Sequence, residues 1–167
     1  MTTLLVVEDE RIIRKRIVNA VDWSSHGVDR VLEAENGHEA ARIALEEEID
    51  ILLTDIRLPG MSGLDLVGRL RESDRDISVI IITGYSEFDY AHTSVKLRVD
   101  DYILKPVRAA RIAESVRKAL SRREERRQRD VRLEELRRQI EENREALRDK
   151  LFQDLLGSYT ADAIAST

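Results

Sequence analysis

An α/β protein, with a parallel sheet wound by helices on both faces, is what this sequence predicts, and three observations predict it. Short apolar runs of strand length alternate with stretches of helical spacing about five times over the first hundred or so residues. Several runs are apolar at consecutive positions, as in strands covered on both faces. Polar residues that suit one kind of chemistry end four of the five runs, and such sheets hold ligands outside the carboxyl ends of their strands.

Leu4-Leu5-Val6-Val7 reads as the first strand, with Ile12, Ile13, Arg16, Ile17 and Ala20 as the helical face behind it. Val31-Leu32 marks the second strand. Asn36-Gly37 could signal a hairpin turn, but the helical pattern of Ala40, Ala41, Ala44 and Leu45 follows, so Asn36 reads as a helix N-cap. Ile51-Leu52-Leu53 forms the third strand and Leu64, Leu66, Val67 and Leu70 the third helix. Val79 to Ile82 gives the fourth strand, and Tyr90, Ala91, Ser94 and Val95 a weaker fourth helix. Val99 with Tyr102-Ile103-Leu104 completes the sheet, and Ile112, Val116 and Leu120 belong to a fifth helix packed on it. Parallel strands joined this way require right-handed crossovers.

The 167 residues suit a domain of 1–120 plus an extension. No cysteine is present, which excludes disulfides and thiolate metal sites and makes a reducing compartment, the cytoplasm, the expected location. The N-terminal apolar run stops at Glu8-Asp9, so neither a signal peptide nor a membrane span is read there. A net charge of −5 argues for solubility and does not point to nucleic acid. His26, His38 and His92 have no metal-ligand spacing.

Strand one ends in Glu8-Asp9, strand three in Thr54-Asp55, strand four in Thr83-Gly84 and strand five in Lys105-Pro106. In a parallel sheet these place three carboxylates, a hydroxyl and an ammonium on one rim. Taken singly, an Asp at a strand end is a common cap, Thr83 an ordinary cap and Lys105 a solvated charge; together they are hard to assign to chance. Crowded carboxylates raise one another's pKa unless a counter-charge arrives. An all-oxygen donor set selects a hard cation such as Mg²⁺, which usually takes one or two carboxylates and keeps waters. A metal-bound acidic pocket beside a lysine suits phosphoryl transfer.

Leu4-Leu5-Val6-Val7-Glu8-Asp9-Glu10, Leu53-Thr54-Asp55-Ile56-Arg57-Leu58-Pro59-Gly60-Met61-Ser62-Gly63, Ile82-Thr83-Gly84 and Asp101-Tyr102-Ile103-Leu104-Lys105-Pro106 together resemble the receiver domain of two-component response regulators, over about residues 3 to 120. The resemblance implies a flavodoxin-like strand order 2-1-3-4-5, with Asp55 as acceptor of a phosphoryl group from a sensor histidine kinase. It implies Mg²⁺ held by Asp9, Asp55 and the backbone carbonyl of Arg57, with Glu8 assisting. It also implies Lys105 on the phosphoryl oxygens after a cis peptide to Pro106, Thr83 and an inward-turning Tyr102 as switch residues, and Gly84 leaving room for the phosphoryl group. Glu8 stands where the family often has Asp, and Arg98 where it often has Gly before strand five. Arg57 and Tyr85 would flank the mouth of the site and obstruct water attack on the acyl phosphate. An aspartyl-nucleophile phosphatase is a distant rival, since its second Asp would stand where Arg57 does.

Helical character continues unbroken from Val107 to about Leu156, and residues 121–150 hold eleven basic and nine acidic side chains without Gly or Pro. Within this linker, 121–156, Leu133, Leu136, Ile140, Asn143, Leu147, Leu151 and Leu155 begin in 3-4 alternation and drift toward steps of four. A short two-stranded coiled coil giving a homodimer, with Asn143 setting register, is the favoured reading; a solvated single helix laced with Glu/Arg pairs is the alternative. The acids nearly cancel Arg122-Arg123 and Arg126-Arg127, so DNA contact by this segment is not expected. Gly157 reads as a helix stop, with 157–167 as a flexible tail.

Asn36-Gly37, the run Tyr85-Ser86-Glu87-Phe88-Asp89-Tyr90 and the charged linker resemble regulators with an AraC-type DNA-binding domain downstream, and no helix-turn-helix occurs in these residues. The expectation is therefore a receiver with a dimerising linker. It would signal through the helix 4–strand 5–helix 5 face, and it would reach DNA only through a domain outside this sequence. A stand-alone regulator that binds a partner protein through its long helix is the competing expectation.

Overall fold

The computed structural model describes residues 1–73, 76–84 and 97–165, with side chains described as far as Asp154. The elements are β1 (Thr3–Val7), α1 (Arg11–Asn19), a 3-10 turn (Ser24–His26), β2 (Arg30–Ala34), α2 (Gly37–Glu46), β3 (Ile51–Asp55), α3 (Gly63–Glu72), β4 (Ser78–Thr83), β5 (Asp101–Leu104) and α4 (Ala109–Ala165). The five strands pair in parallel in the order β2-β1-β3-β4-β5. The weak helix expected around Tyr90 to Val95 lies outside the described residues, as does Tyr85.

The continuous apolar runs sort by the period of two. Leu5, Val7, Leu52, Val79 and Ile81 face one way, into a core shared with α2 and α3. Leu4, Val6, Ile51, Leu53, Ile80 and Ile82 face the other, against Ile17 of α1 and Ile112 and Val116 of α4. β1, β3 and β4 are buried along their whole length, and the edge strands β2 and β5 only in part.

Local chemistry starts the helices where the sheet needs them. Asn36 caps α2, its side chain accepting from Glu39 N at 2.8 Å. Ser62 and Asp65 form a reciprocal capping box at α3, one turn of chain after Asp55.

Three expectations change, and one departure from the family leaves its turn in place. In α1 the buried residues are Arg14 and Ile17, whereas Ile12 is 84 % exposed and Arg16 is exposed, so the inward face is rotated from the one the apolar count selects. β5 begins at Asp101 rather than near Val99, because the Asp100 side chain takes the Val79 amide at 2.9 Å and ends the approach to the strand. Arg98 keeps the left-handed turn that glycine would favour, with φ 51°. The Arg71 guanidinium holds that turn through the carbonyls of Leu97 (3.1 Å) and Arg98 (3.0 Å) and also grips Ile77 O at 2.7 Å. Finally, α4 continues past Gly157 to Ala165: one glycine inside a helix costs only about 1 kcal/mol against alanine, too little to end it by itself.

The chain divides into a unit of Met1–Arg123 and a second of Glu124–Thr167. The first extends to Arg123 because that guanidinium still holds Asp50, Nη2 to Oδ1 at 2.9 Å, while Arg122 donates to Asp100 O at 2.8 Å. In the second, Leu133, Leu136, Ile140, Leu147 and Leu151 are exposed on the helix.

Candidate functional site at the carboxyl edge of the sheet

Two parallel strands, β1 and β3, deliver the acidic residues, and β4 and β5 end beside them. Residues 8 and 9 leave β1 where Glu8 N still donates to Ala34 O at 3.2 Å. Asp55 is the last residue of β3, paired in register with Ile82, and Ile56 N donates to Ile82 O at 3.2 Å. Thr83 ends β4 opposite Leu104, and Lys105 N donates to Thr83 O at 2.9 Å. Residues separated by as many as 97 positions in sequence thereby converge.

Carboxylate oxygens of Glu8, Asp9 and Asp55 lie within 4.8 Å of one another. Glu8 and Asp55 are buried and Asp9 is exposed. The Lys105 ammonium makes a short contact with Asp55 Oδ2 and lies 3.3 Å from Glu8 Oε2. Burial pushes the Glu8 carboxyl up from 4.5 to about 7; Lys105 opposes the rise and the Asp55 charge adds to it. For Lys105, burial works against the charge, but the hydrogen bond and attraction to Asp55, then to Glu8, outweigh it and raise its pKa. One ammonium does not neutralise three carboxylates, and an all-oxygen corner with an exposed ligand facing solvent is the donor set a hydrated Mg²⁺ fits.

The other expected residues fall around this corner. Arg57 N donates to Asp55 Oδ1 at 3.1 Å, which sets the backbone of residue 57 against the Asp55 carboxylate, while its side chain is exposed. The Lys105–Pro106 peptide is cis. The Thr83 hydroxyl, buried, donates to Gly84 O at 3.2 Å. A Cβ at Gly84 would meet nothing within 4 Å among the described residues, so packing alone does not require the glycine. The Tyr102 hydroxyl is buried without a hydrogen-bond partner among the described residues, and burial raises its pKa.

Sequence reasoning passed over two contributors. Gly63 allows α3 to start against Asp55: its amide donates to Ile56 O at 2.9 Å, and a Cβ there would come within 2.0 Å of Asp55 O. Arg14 is buried behind the β1 corner and donates from Nη1 to Glu8 O at 2.5 Å. Its signal was available, as a cation three residues before the core-facing Ile17, but the helical spacing admitted Arg16 in its place.

The sequence matches the response regulator receiver domain over residues 4–117. The chain belongs to the response-regulator receiver family. This receiver is 32 % identical over 121 residues to the transcriptional regulatory protein YesN of Bacillus subtilis, covering 72 % of this chain and 33 % of that protein. It is 31 % identical over 112 residues to the transcriptional regulatory protein HptR of Staphylococcus aureus, covering 67 % and 44 %. The chain therefore spans between a third and a half of the length of these curated relatives. Among solved structures, the receiver domain of AraT, a response regulator from Geobacillus stearothermophilus, superposes with a TM-score of 0.70 at 40 % identity, covering 75 % of this chain and 98 % of that one. A two-component transcriptional regulator AraC from Clostridium phytofermentans gives 0.68 at 30 % identity, covering 72 % and 94 %. The family is one of signalling switches paired with a sensor kinase. Among the described residues, no helix is long and apolar enough to cross a membrane.

Proposed function

We propose that this receiver takes a phosphoryl group from the phosphohistidine of a sensor kinase onto Asp55 and thereby switches the output of a cytoplasmic transcription regulator. The observation that carries the reading is the cluster of Glu8, Asp9 and Asp55 oxygens within 4.8 Å, with Lys105 already on the acceptor. An Asp55 oxygen attacks phosphorus, the new O–P bond forms as the N–P bond breaks, and the electron pair returns to the imidazole nitrogen. Glu8, Asp9, Asp55 and the Arg57 carbonyl would hold Mg²⁺, whose charge offsets that of the phosphoryl oxygens. Lys105 exchanges a carboxylate partner for phosphoryl oxygen, and Gly84 leaves the space open. Thr83 gives up Gly84 O to reach the same group, and Tyr102 registers the change on the face formed by β5 and the start of α4.

Output through an AraC-type DNA-binding domain, outside the residues present here, is part of the proposal. It draws on the Asn36-Gly37 and Tyr85–Tyr90 sequence features and on the similarity to the two-component transcriptional regulator AraC of Clostridium phytofermentans. The exposed stripe of Leu133, Leu136, Ile140 and Leu147, with Asn143 in the same seam, supports pairing of two copies through the linker. The same stripe equally suits a different partner protein, which is the second reading. The test is labelling by acetyl phosphate in Mg²⁺: the parent chain is expected to acquire one acid-stable, base-labile phosphoryl group per chain and Asp55→Asn none, and stoichiometric labelling of Asp55→Asn overturns the assignment.

A further inference from the structure

Arg14 is a guanidinium on the inward face of α1, and a buried charge of this kind is costly unless its N–H groups find acceptors. Nη1 donates to the Glu8 carbonyl at 2.5 Å, and Nε lies 3.4 Å from Glu33 Oε2 on β2, near enough for attraction but not aligned as a hydrogen bond. Glu33 also holds Lys15 at 2.7 Å, so a carboxylate on the edge strand backs the guanidinium.

The carbonyl that Arg14 grips belongs to the peptide between Glu8 and Asp9. That peptide joins two of the three clustered carboxylates. It lies where β1 has ended at Val7 and α1 has not yet begun at Arg11, and Glu10, the residue preceding the helix, makes no side-chain cap. The local bonds across this corner are few: Glu10 N to Glu8 Oε1 at 3.4 Å is long, and Arg14 N to Glu10 O at 2.9 Å belongs to the helix start. Because a peptide is planar, fixing its carbonyl also fixes the following N–H and limits the torsions on both sides.

We propose that Arg14 is a positioning residue for the divalent-ion corner: by holding the Glu8–Asp9 peptide plane from behind, it aims both carboxylates at the site of the ion. The inference rests on reading that corner as the ion site. Lysine could place one donor near the carbonyl but lacks the rigid fork that holds one N–H on the carbonyl while keeping its charge beside the Glu33 carboxylate. Methionine keeps the buried stem and removes every donor.

The test uses the full chain and titrates Mg²⁺ by calorimetry without phosphodonor, for the parent, Arg14→Lys and Arg14→Met. Groups that orient metal ligands typically change affinity by 10–100-fold, so Arg14→Met is expected to weaken binding about ten-fold and Arg14→Lys about three-fold. Labelling by acetyl phosphate at saturating Mg²⁺ should stay within about two-fold of the parent, since the group acts on ligand geometry and not on phosphorus. Parent-like Mg²⁺ affinity in folded Arg14→Met, with only a lowered Tm, overturns the positioning role and leaves the phosphoacceptor reading intact. Absence of saturable Mg²⁺ binding by the parent overturns both. If Arg14→Met does not fold, the Arg14→Lys titration decides, and an affinity equal to the parent's refutes the role.

Discussion

Glu8→Gln in the absence of divalent ions isolates the charge balance of the acidic corner. Burial, opposed by Lys105 and reinforced by Asp55, moves the Glu8 carboxyl from 4.5 to about 7 in the folded chain. Between those two values the native state keeps a proton that the unfolded chain has released. Native stability therefore falls as pH rises through this window and levels off above about 7, as far as this residue is concerned. A displacement of that size corresponds to about 3 kcal/mol, and with Glu8 fully buried no discount for solvent screening applies. Gln keeps the shape and does not titrate. Urea unfolding in EDTA at pH 5 and pH 8 should show the parent losing about 2–3 kcal/mol relative to Glu8→Gln between the two, since part of the loss already occurs below pH 5. Lys105 does not confuse the comparison, because its pKa is raised from an already basic value and it stays charged throughout. Saturating Mg²⁺ should return most of the loss at pH 8 to the parent, since the ion favours ionised Glu8, and apparent Mg²⁺ affinity should tighten as pH rises through about 7. A parent-minus-variant difference that does not change with pH refutes the reasoning.

Gly63→Ala forces a Cβ to within 2.0 Å of Asp55 O, so α3 or β3 must shift. Overpacking of this kind costs about 1–3 kcal/mol, and calorimetry should show Tm lowered by about 10 °C together with slower labelling of Asp55. Arg98→Gly relieves a left-handed residue while keeping the carbonyl that Arg71 grips; the gain, after the extra freedom of glycine in the unfolded chain, should be about 0.5 kcal/mol in urea unfolding. Leu136→Asp with Ile140→Asp removes the middle of the exposed linker stripe. Burial of one such side chain is worth about 1.5–3 kcal/mol, so, with the linker pairing as proposed, sedimentation equilibrium should show self-association of the parent and its weakening by at least ten-fold in the variant.

The helix phases and stops were less legible than the strands. Helical spacing selected Ile12 and Arg16 in α1, but Arg14 points inward, between the Glu8 carbonyl past the end of β1 and the Glu33 carboxylate on β2. That demand arises from tertiary placement and has no period in the sequence. Gly157 carries the local signature of a C-cap, yet whether a helix ends there depends on what the next residues can do, and α4 continues. Arg98 shows the reverse case: a residue that disfavours the turn is held in it by two carbonyl contacts of Arg71, a partner not visible from the turn's own sequence.

The site was legible for a reason that also explains its precision. Asp55 and Lys105 meet because β3 pairs with β4 and β4 with β5 in one register, Asp55 opposite Ile82 and Thr83 opposite Leu104. That register is fixed by the apolar alternation of β4, Val79 and Ile81 into one core and Ile80 and Ile82 into the other. A slip of one residue would exchange the two sets and swing Thr83 to the opposite face of the sheet. All of those side chains are buried, so such a slip would cost far more than the site chemistry could return. The acidic corner therefore needs no strong attraction of its own to assemble. Repelling carboxylates can be held together, one of them with its pKa driven up to about 7, because the hydrophobic registration of strands behind them leaves them nowhere else to go.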